Sequence, residues 1–374
     1  MTSYLIKNAD VYAPEHLGIN DVLVAEGRVA AVAPGLDVSF PGLETVDAEG
    51  EALVPGFIDQ HVHVTGGGGE GGQQTCAPGL RIEEAADCGD TTVVGVLGAD
   101  TVARSVVGLL AKIRALRNEG ISTWMWTSNY AYPPVSLTES VRLDLYSIPE
   151  CLGVKVAMAD ARSSFMTEEE MIRLVSEAWA GGRLAGKRGI LHVHVGTLGG
   201  AFGMFMNAVR KGIPIDHFLP THCARDFDAA VAFAKEGGRI DFTTDIPENA
   251  VSCVLKALEE GVPEKKISLT TDGHGALPVY DEAGRLAGLE TLDIRNNLRA
   301  FKSLAGTLGL EKALPFVTSN VSDTLLIPKG RIRTGWDADF CFLGDGFEPV
   351  SVMANGRFIK RGGKVLAKGL YSAA

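Results

Sequence analysis

Residues 57 to 72 read FIDQHVHVTGGGGEGG, a compact apolar run carrying two histidines, His61 and His63, and ending in a glycine-rich segment. A short β-branched run bounded by glycine reads as a strand, and a stretch this rich in glycine reads as a loop where backbone approaches a ligand closely. Seven further runs of the same kind follow: TTVVGVLG (91–98), STWMWTSNY (122–130), VKVAMAD (154–160), ILHVHVG (190–196), FLPTHC (218–223), IDFTTD (240–245) and ISLTTDG (267–273). Between them lie amphipathic stretches of helical length, among them VARSVVGLLAKIRALRNEG (102–120), EEEMIRLVSEAWAGG (168–182) and DFDAAVAFAKEGG (226–238), each closing on glycine as helix C-termini do. Strand and helix alternating through eight cycles predict an α/β fold, a (β/α)8 TIM-type barrel.

The two ends of the chain have another texture. YLIKNADVY (4–12), DVLVAEGRVAAVAPG (21–35) and EALVPG (51–56) alternate in short strands broken by glycine and proline, and GRIRTGWDADFCFLG (330–344) and PVSVMANGRFIKRGGKVL (349–366) repeat the pattern. The expected organisation is a small β-sandwich domain built from residues 1–54 with 328–374, flanking a barrel over residues 55–327.

Composition narrows the function classes. The chain has 374 residues, 46% of them hydrophobic, enough for a substantial core. Its 35 basic against 46 acidic residues give a net charge of -11, and no Lys/Arg run could follow a phosphate backbone, which excludes nucleic acid as the expected partner. The N-terminus MTSYLIKNADVY lacks a basic start followed by an apolar stretch, and no window approaches the roughly 18 apolar residues a membrane span needs. A cytoplasmic protein without membrane association is the expectation. The six cysteines are scattered singly, with no pair spaced as a thiolate metal site, and read as reduced small hydrophobes.

His61 and His63 stand two apart on one strand, so the period of a pleated strand points both to one face, where they can reach one metal ion. Lys155 falls in the fourth run, His192 and His194 in the fifth, His222 at the end of the sixth and Asp272 at the end of the eighth. Barrel strands gather their C-terminal ends around one mouth, where catalytic groups collect. By strand period alone either His192 or His194 can be the ligand; His194 lies nearer the strand end, and His192 reads as a buried, hydrogen-bonded barrel residue. His16 and His217 fall outside the strand ends, and the role of His274 stays open.

HVH after PGFID, a lysine within a strand, later single histidines and a final aspartate resemble the amidohydrolase superfamily. Within it, HVHVTGGGGEGG, GVKVAMADARSS, HVHVGT, LPTHCARD and TTDGHG are similar to the isoaspartyl dipeptidase (β-aspartyl peptidase) branch over nearly the whole chain. The resemblance implies a binuclear amidohydrolase acting on the C–N bond of a small zwitterionic dipeptide or N-acyl amino acid. It implies that His61 and His63 hold the more buried of two divalent ions together with Asp272, that His194 and His222 hold the second, and that Lys155 bridges both as a carbamate formed with carbon dioxide. Zinc is the expected ion, although manganese, cobalt and iron accept the same ligands. The lysine assignment has a physical logic of its own. Two dications about 3.5 to 4 Å apart repel, a bridging anion lessens that repulsion, and dications beside an apolar strand disfavour the ammonium form.

In the mechanism this implies, a metal-bridging hydroxide attacks the carbonyl, Asp272 moves the proton from the nucleophile to the leaving nitrogen, and Tyr130 hydrogen-bonds the developing oxyanion. Arg162 and Arg225 suit bidentate capture of a carboxylate, and the resemblance assigns them the C-terminal carboxylate and Glu70 the amino group. Two positions depart from the family pattern: Ala99 stands where a threonine is usual and Ala276 where a serine is usual. Those hydroxyls help hold the aspartyl α-carboxylate, so isoaspartyl dipeptides are expected to be poor substrates and β-alanyl dipeptides better ones. Backbone N–H groups along Gly66 to Gly69, Gly68 among them, can supply part of the missing binding. The resemblance also implies homo-oligomers. The alternatives are a cyclic-amide hydrolase of the dihydroorotase or hydantoinase type, which has less use for Glu70 with two arginines, and a non-catalytic scaffold on the same fold, which would have lost ligands.

Overall fold

The computed structural model of the chain describes residues 2–100 and 102–370. At the N-terminus run β1 (Ser3–Tyr12), β2 (His16–Ala25), β3 (Arg28–Ala33), β4 (Leu43–Asp47) and β5 (Ala52–Pro55). The barrel cycles follow: β6 (Phe57–Val62), α1 (Ile82–Cys88), β7 (Asp90–Gly95), α2 (Val106–Glu119), β8 (Ser122–Ser128), α3 (Val141–Ser147), β9 (Cys151–Met158), α4 (Glu168–Ala185) and β10 (Ile190–Val195). The second half comprises α5 (Ala201–Arg210), β11 (Phe218–Thr221), α6 (Phe227–Lys235), β12 (Ile240–Thr243), α7 (Pro247–Glu259) and β13 (Ile267–Thr270). A hairpin, β14 (Ala276–Tyr280) with β15 (Leu286–Thr291), precedes α8 (Asn296–Leu308), and β16 (Phe340–Leu343), β17 (Pro349–Ala354), β18 (Arg357–Arg361) and β19 (Lys364–Val365) close the chain.

Strands β6 to β11 form one parallel ladder and β12 with β13 a second. The ring is completed by a parallel bridge between Val62 and Gly273, with the His63 amide donating to the Gly273 carbonyl at 2.9 Å. Across the other seam, Asp241 Oδ2 accepts from Thr221 and Thr270 hydroxyls at 2.7 and 2.6 Å, so side chains stitch β11, β12 and β13 together. Strands β7, β9 and β10 are buried along their whole length, as a parallel sheet covered by helices requires. Inside the barrel floor, Ile58, Val94, Trp126, Leu152 and Leu219 pack into an apolar plug, at the end opposite the mouth.

Each of the runs from sequence overlaps its strand, although β7 and β9 begin one and three residues before their runs and several strands stop short of the run ends. Ser128, Ala159, His222 and Asp272 all have left-handed backbones (φ 71°, 55°, 61° and 55°), which turns the chain out of the strand at the mouth. For residues with a Cβ this conformation costs on the order of 1–2 kcal/mol each, and such strain gathers at functional sites.

The terminal strands form one continuous mixed sheet in the order β19-β18-β17-β16-β5-β1-β2-β3, with β4 parallel to β1. It folds over its own core of Ile6, Val11, Val22, Leu53, Phe340 and Met353, so that Tyr4 on β1 and Phe358 on β18, distant along the sheet, meet edge-on at 5.2 Å between ring centres. The two layers expected of a sandwich are thus halves of a single sheet; of the 328–374 segment, residues 371–374 lie outside the described residues. Among the described residues no helix is long and apolar enough to cross a membrane.

Candidate active site

At the mouth, His61 and His63 converge as their spacing predicted, despite a register shift between Asp59 and Val62. His61 Nε2 lies 3.1 Å and His63 Nε2 3.0 Å from the same Asp272 oxygen, Oδ1. His192 determines the state of His61. Its Nδ1 lies 2.9 Å from the Leu219 carbonyl, which only accepts, so Nδ1 carries the proton and Nε2 is left to accept from His61 Nδ1 at 2.9 Å. With Nδ1 as its donor, the neutral His61 ring turns a lone pair toward Asp272. Burial, and then the Lys155 ammonium, push the His61 pKa down to about 3, so the ring is neutral at working pH. An imidazole lone pair thus faces a carboxylate oxygen at 3.1 Å, and Asp272 Oδ1 is buried without a hydrogen bond.

His222 repeats the arrangement. Its Nδ1 contacts the Thr243 hydroxyl at 2.6 Å while Nε2 is buried with no partner. Nitrogen and oxygen donors of His61, His222 and Asp272 all lie within 4.8 Å of one another. Buried polar atoms left unpaired in native proteins call for an explanation, and two acceptors pressed together are reconciled by a cation between them. The residues therefore fit a metal ion on the chemistry of the donor set.

Lys155, fully buried on β9, sits in register beside Ser128 and His192, its Nζ 3.4 Å from both ring nitrogens of His61. Burial lowers its pKa to about 7, against the pull of Asp272 and Asp241, so the free amine is abundant at neutral pH. His194 stands against His222 with ring centres 4.4 Å apart, but both its nitrogens are engaged: Nδ1 meets the Tyr130 hydroxyl at 2.5 Å, and Nε2 meets Asp160 at 2.9 Å, Arg225 at 3.0 Å and Arg162 at 3.1 Å. To ligate an ion beside His222, His194 has to exchange one of these partners.

Of the residues read from sequence for substrate, Glu70, Gly68, Ala99, Tyr130, Arg162, Arg225 and Ala276 all line one inner cavity with His63, His194 and Asp272. Arg162 is bound on two sides, to Asp160 at 2.7 Å and to Glu70 at 2.7 Å. The Asp160 carboxyl is held far below the usual range, chiefly by its hydrogen bond to Arg162. Gly66 and Gly68 have positive φ, and a Cβ on either would lie 2.0 Å from a backbone carbonyl, of Ala77 or Thr75, which is why this loop is glycine. His274 points away, its Nδ1 on the Pro78 carbonyl at 2.9 Å; His16 pairs with Asp10 near the surface, and His217 is buried against the Gly189 carbonyl.

Asp160 and the tautomer-setting part played by His192 were not read from sequence. Asp160 left a faint signal, an aspartate two residues before an arginine just past a strand, where the side chain caps the Arg162 amide at 2.8 Å.

A crystal structure of the β-aspartyl dipeptidase of Fervidobacterium islandicum AW-1, in complex with β-Asp-Leu dipeptide, is 37% identical over 97% of this chain and 98% of that one, with a TM-score of 0.92. This chain belongs to the amidohydrolase superfamily. It is a β-aspartyl dipeptidase-like amidohydrolase with a His/Asp metal-site cluster. More distant amidohydrolase-type relatives include the adenine deaminase of Halalkalibacterium halodurans, 23% identical over 97% of this chain, and dihydropyrimidinase 2 of Caenorhabditis briggsae, 42% identical over 62 residues, 17% of this chain. The chain spans 58% of the first and 12% of the second. No protein-family model matches the chain.

Proposed function

We propose that this amidohydrolase cleaves the amide bond of small zwitterionic dipeptides or N-acyl amino acids, with a preference for β-alanyl over β-aspartyl substrates. The observation that carries the metal-dependent part is the pair of histidine nitrogens facing Asp272 Oδ1 beside the unpartnered His222 Nε2. His61, His63 and Asp272 would hold one ion, His222 with a reoriented His194 the other, and Lys155, converted by carbon dioxide to a carbamate with loss of a proton, would bridge them. Two such ions would supply a hydroxide nucleophile near neutral pH and polarise the scissile carbonyl. Asp272, with its Oδ1 about 3 Å from both His61 and His63, is placed to take the nucleophile's proton at a carboxylate oxygen and pass it to the leaving nitrogen. Tyr130, whose pKa burial pushes well up, keeps its proton and serves as a hydrogen-bond donor to the oxyanion. Arg162 and Arg225 take the carboxylate, and Glu70 takes the amino end.

The preference rests on Ala99 and Ala276, which present methyl groups to the inner cavity. A buried carboxylate missing a hydrogen-bond partner loses roughly 1–3 kcal/mol, about 5- to 150-fold in kcat/KM per missing hydroxyl. Zinc-loaded protein should therefore turn over β-Ala-Leu with the higher kcat/KM, and the Ala99→Thr, Ala276→Ser double variant should recover β-Asp-Leu. A strong wild-type preference for β-Asp-Leu contradicts the specificity, and failure to cleave either dipeptide contradicts the activity.

A further inference from the structure

The inner cavity measures only about 40 Å³, whereas sites that enclose small ligands run to roughly 300 Å³ or more. Outside it opens a vestibule of about 1060 Å³ between the glycine loop, the segment carrying Ala99, Asp100, Val102 and Ala103, and strand β14. Glu70, Ala99 and Arg162 line both spaces, so the Glu70–Arg162 ion pair, at 2.7 Å, stands in the wall between them.

The pair is built from the groups that the proposed function gives to the two ends of the substrate. Arg162 has Nε and Nη2 committed to Asp160, leaving Nη1 as the donor on which Glu70 now sits. Glu70 is carried by a turn that closes on itself: the Gly72 amide donates to the Gly69 carbonyl at 3.1 Å and the Gly71 amide to the Thr75 hydroxyl at 3.1 Å. Release of the pair therefore needs a side-chain rotation, not a loop movement.

We propose that Glu70 acts as an internal stand-in for substrate carboxylate, an ion pair that plugs the passage and that a zwitterion alone displaces without leaving a charge unpaired. A ligand carrying only a carboxylate takes Arg162 and strands Glu70. One carrying only an ammonium takes Glu70 and strands Arg162 Nη1. A ligand with both, correctly spaced, pairs each partner again, so zwitterion selectivity comes from the exchange as well as from the contacts themselves.

The inference rests on the zwitterion reading of the site, and its test is separable from turnover. 6-Aminohexanoate has five atoms between nitrogen and carboxyl carbon, the spacing of β-alanyl-glycine, but no amide to cleave; hexanoate and hexylamine are its single-charge counterparts. Calorimetric titration of zinc-loaded wild type should rank 6-aminohexanoate above both. In Glu70→Gln, 6-aminohexanoate should weaken while hexanoate tightens about two- to fivefold, since a half-exposed ion pair no longer competes for Arg162. A residue that only received an ammonium would leave hexanoate unchanged. Unchanged or weaker hexanoate binding in the variant, with circular dichroism like wild type, overturns the plug, as does wild-type protein that does not rank 6-aminohexanoate first. If the hexanoate gain is seen in protein that cleaves no dipeptide, the plug stands and the proposed activity falls.

Discussion

His192 shows how much a single side chain can decide without touching an ion. It hands the Leu219 carbonyl's demand for a proton on to His61, which fixes the His61 tautomer and aims Nε2 at Asp272. Its ring is also stacked on Trp126 at 4.8 Å, which holds the plane. Partners that orient a metal-binding histidine contribute roughly 10–100-fold to metal affinity. His192→Phe should therefore fold but bind zinc about 10–100-fold more weakly by competition with a chromophoric chelator, and unchanged affinity would show the relay to be idle. The convergence of His61, His63, Lys155 and Asp272 was legible because strand period and the common end of barrel strands are simple rules. His192 was legible only as a buried residue, since which of two histidines on one strand face reaches outward depends on neighbours the sequence places far away.

The strands themselves were legible as β-branched runs, their ends less so. Those ends are set by left-handed residues, among them Ser128 and Ala159, whose side chains give no warning of that conformation. Close strand contact is similarly hidden. Gly153 on β9 faces β10 so tightly that a Cβ would lie 2.1 Å from the Ile190 carbonyl oxygen. The pairing it permits sets His192 beside Lys155. Gly153→Ala should cost about 1–3 kcal/mol or more, seen as a lowered Tm, and should lower activity further than the stability loss explains because Lys155 shifts with the strand. A variant with wild-type Tm would mean that the two strands separate freely.

For the molecule as a whole, buried charge holds the C-terminal segment of the terminal sheet together. Lys329, only 1% exposed at its side chain, meets Asp339 at 2.6 Å and Asp337 at 2.9 Å, and Asp339 in turn accepts from the Asn355 amide. Burial raises the Asp339 pKa even against the lysine, the mark of a carboxylate that depends on its partner. Lys329→Ala should therefore destabilise by about 3–5 kcal/mol by chemical denaturation, and Lys329→Met, which fills the space but not the charge, should not rescue it. Two β-rich ends meeting in one sheet were foreseeable from texture; its curl about its own core was not, because ring contacts such as Tyr4 with Phe358 join segments from opposite ends of the chain.

The account depends most on Lys155 joining two ions into one centre. Metal content per chain, measured by elemental analysis after loading with zinc and bicarbonate and removal of excess, addresses this directly. Wild type should hold about two zinc ions, and Lys155→Ala, folded by circular dichroism, should hold fewer however much bicarbonate is supplied. Wild-type protein that binds no zinc, or a Lys155→Ala variant that keeps two, would contradict it.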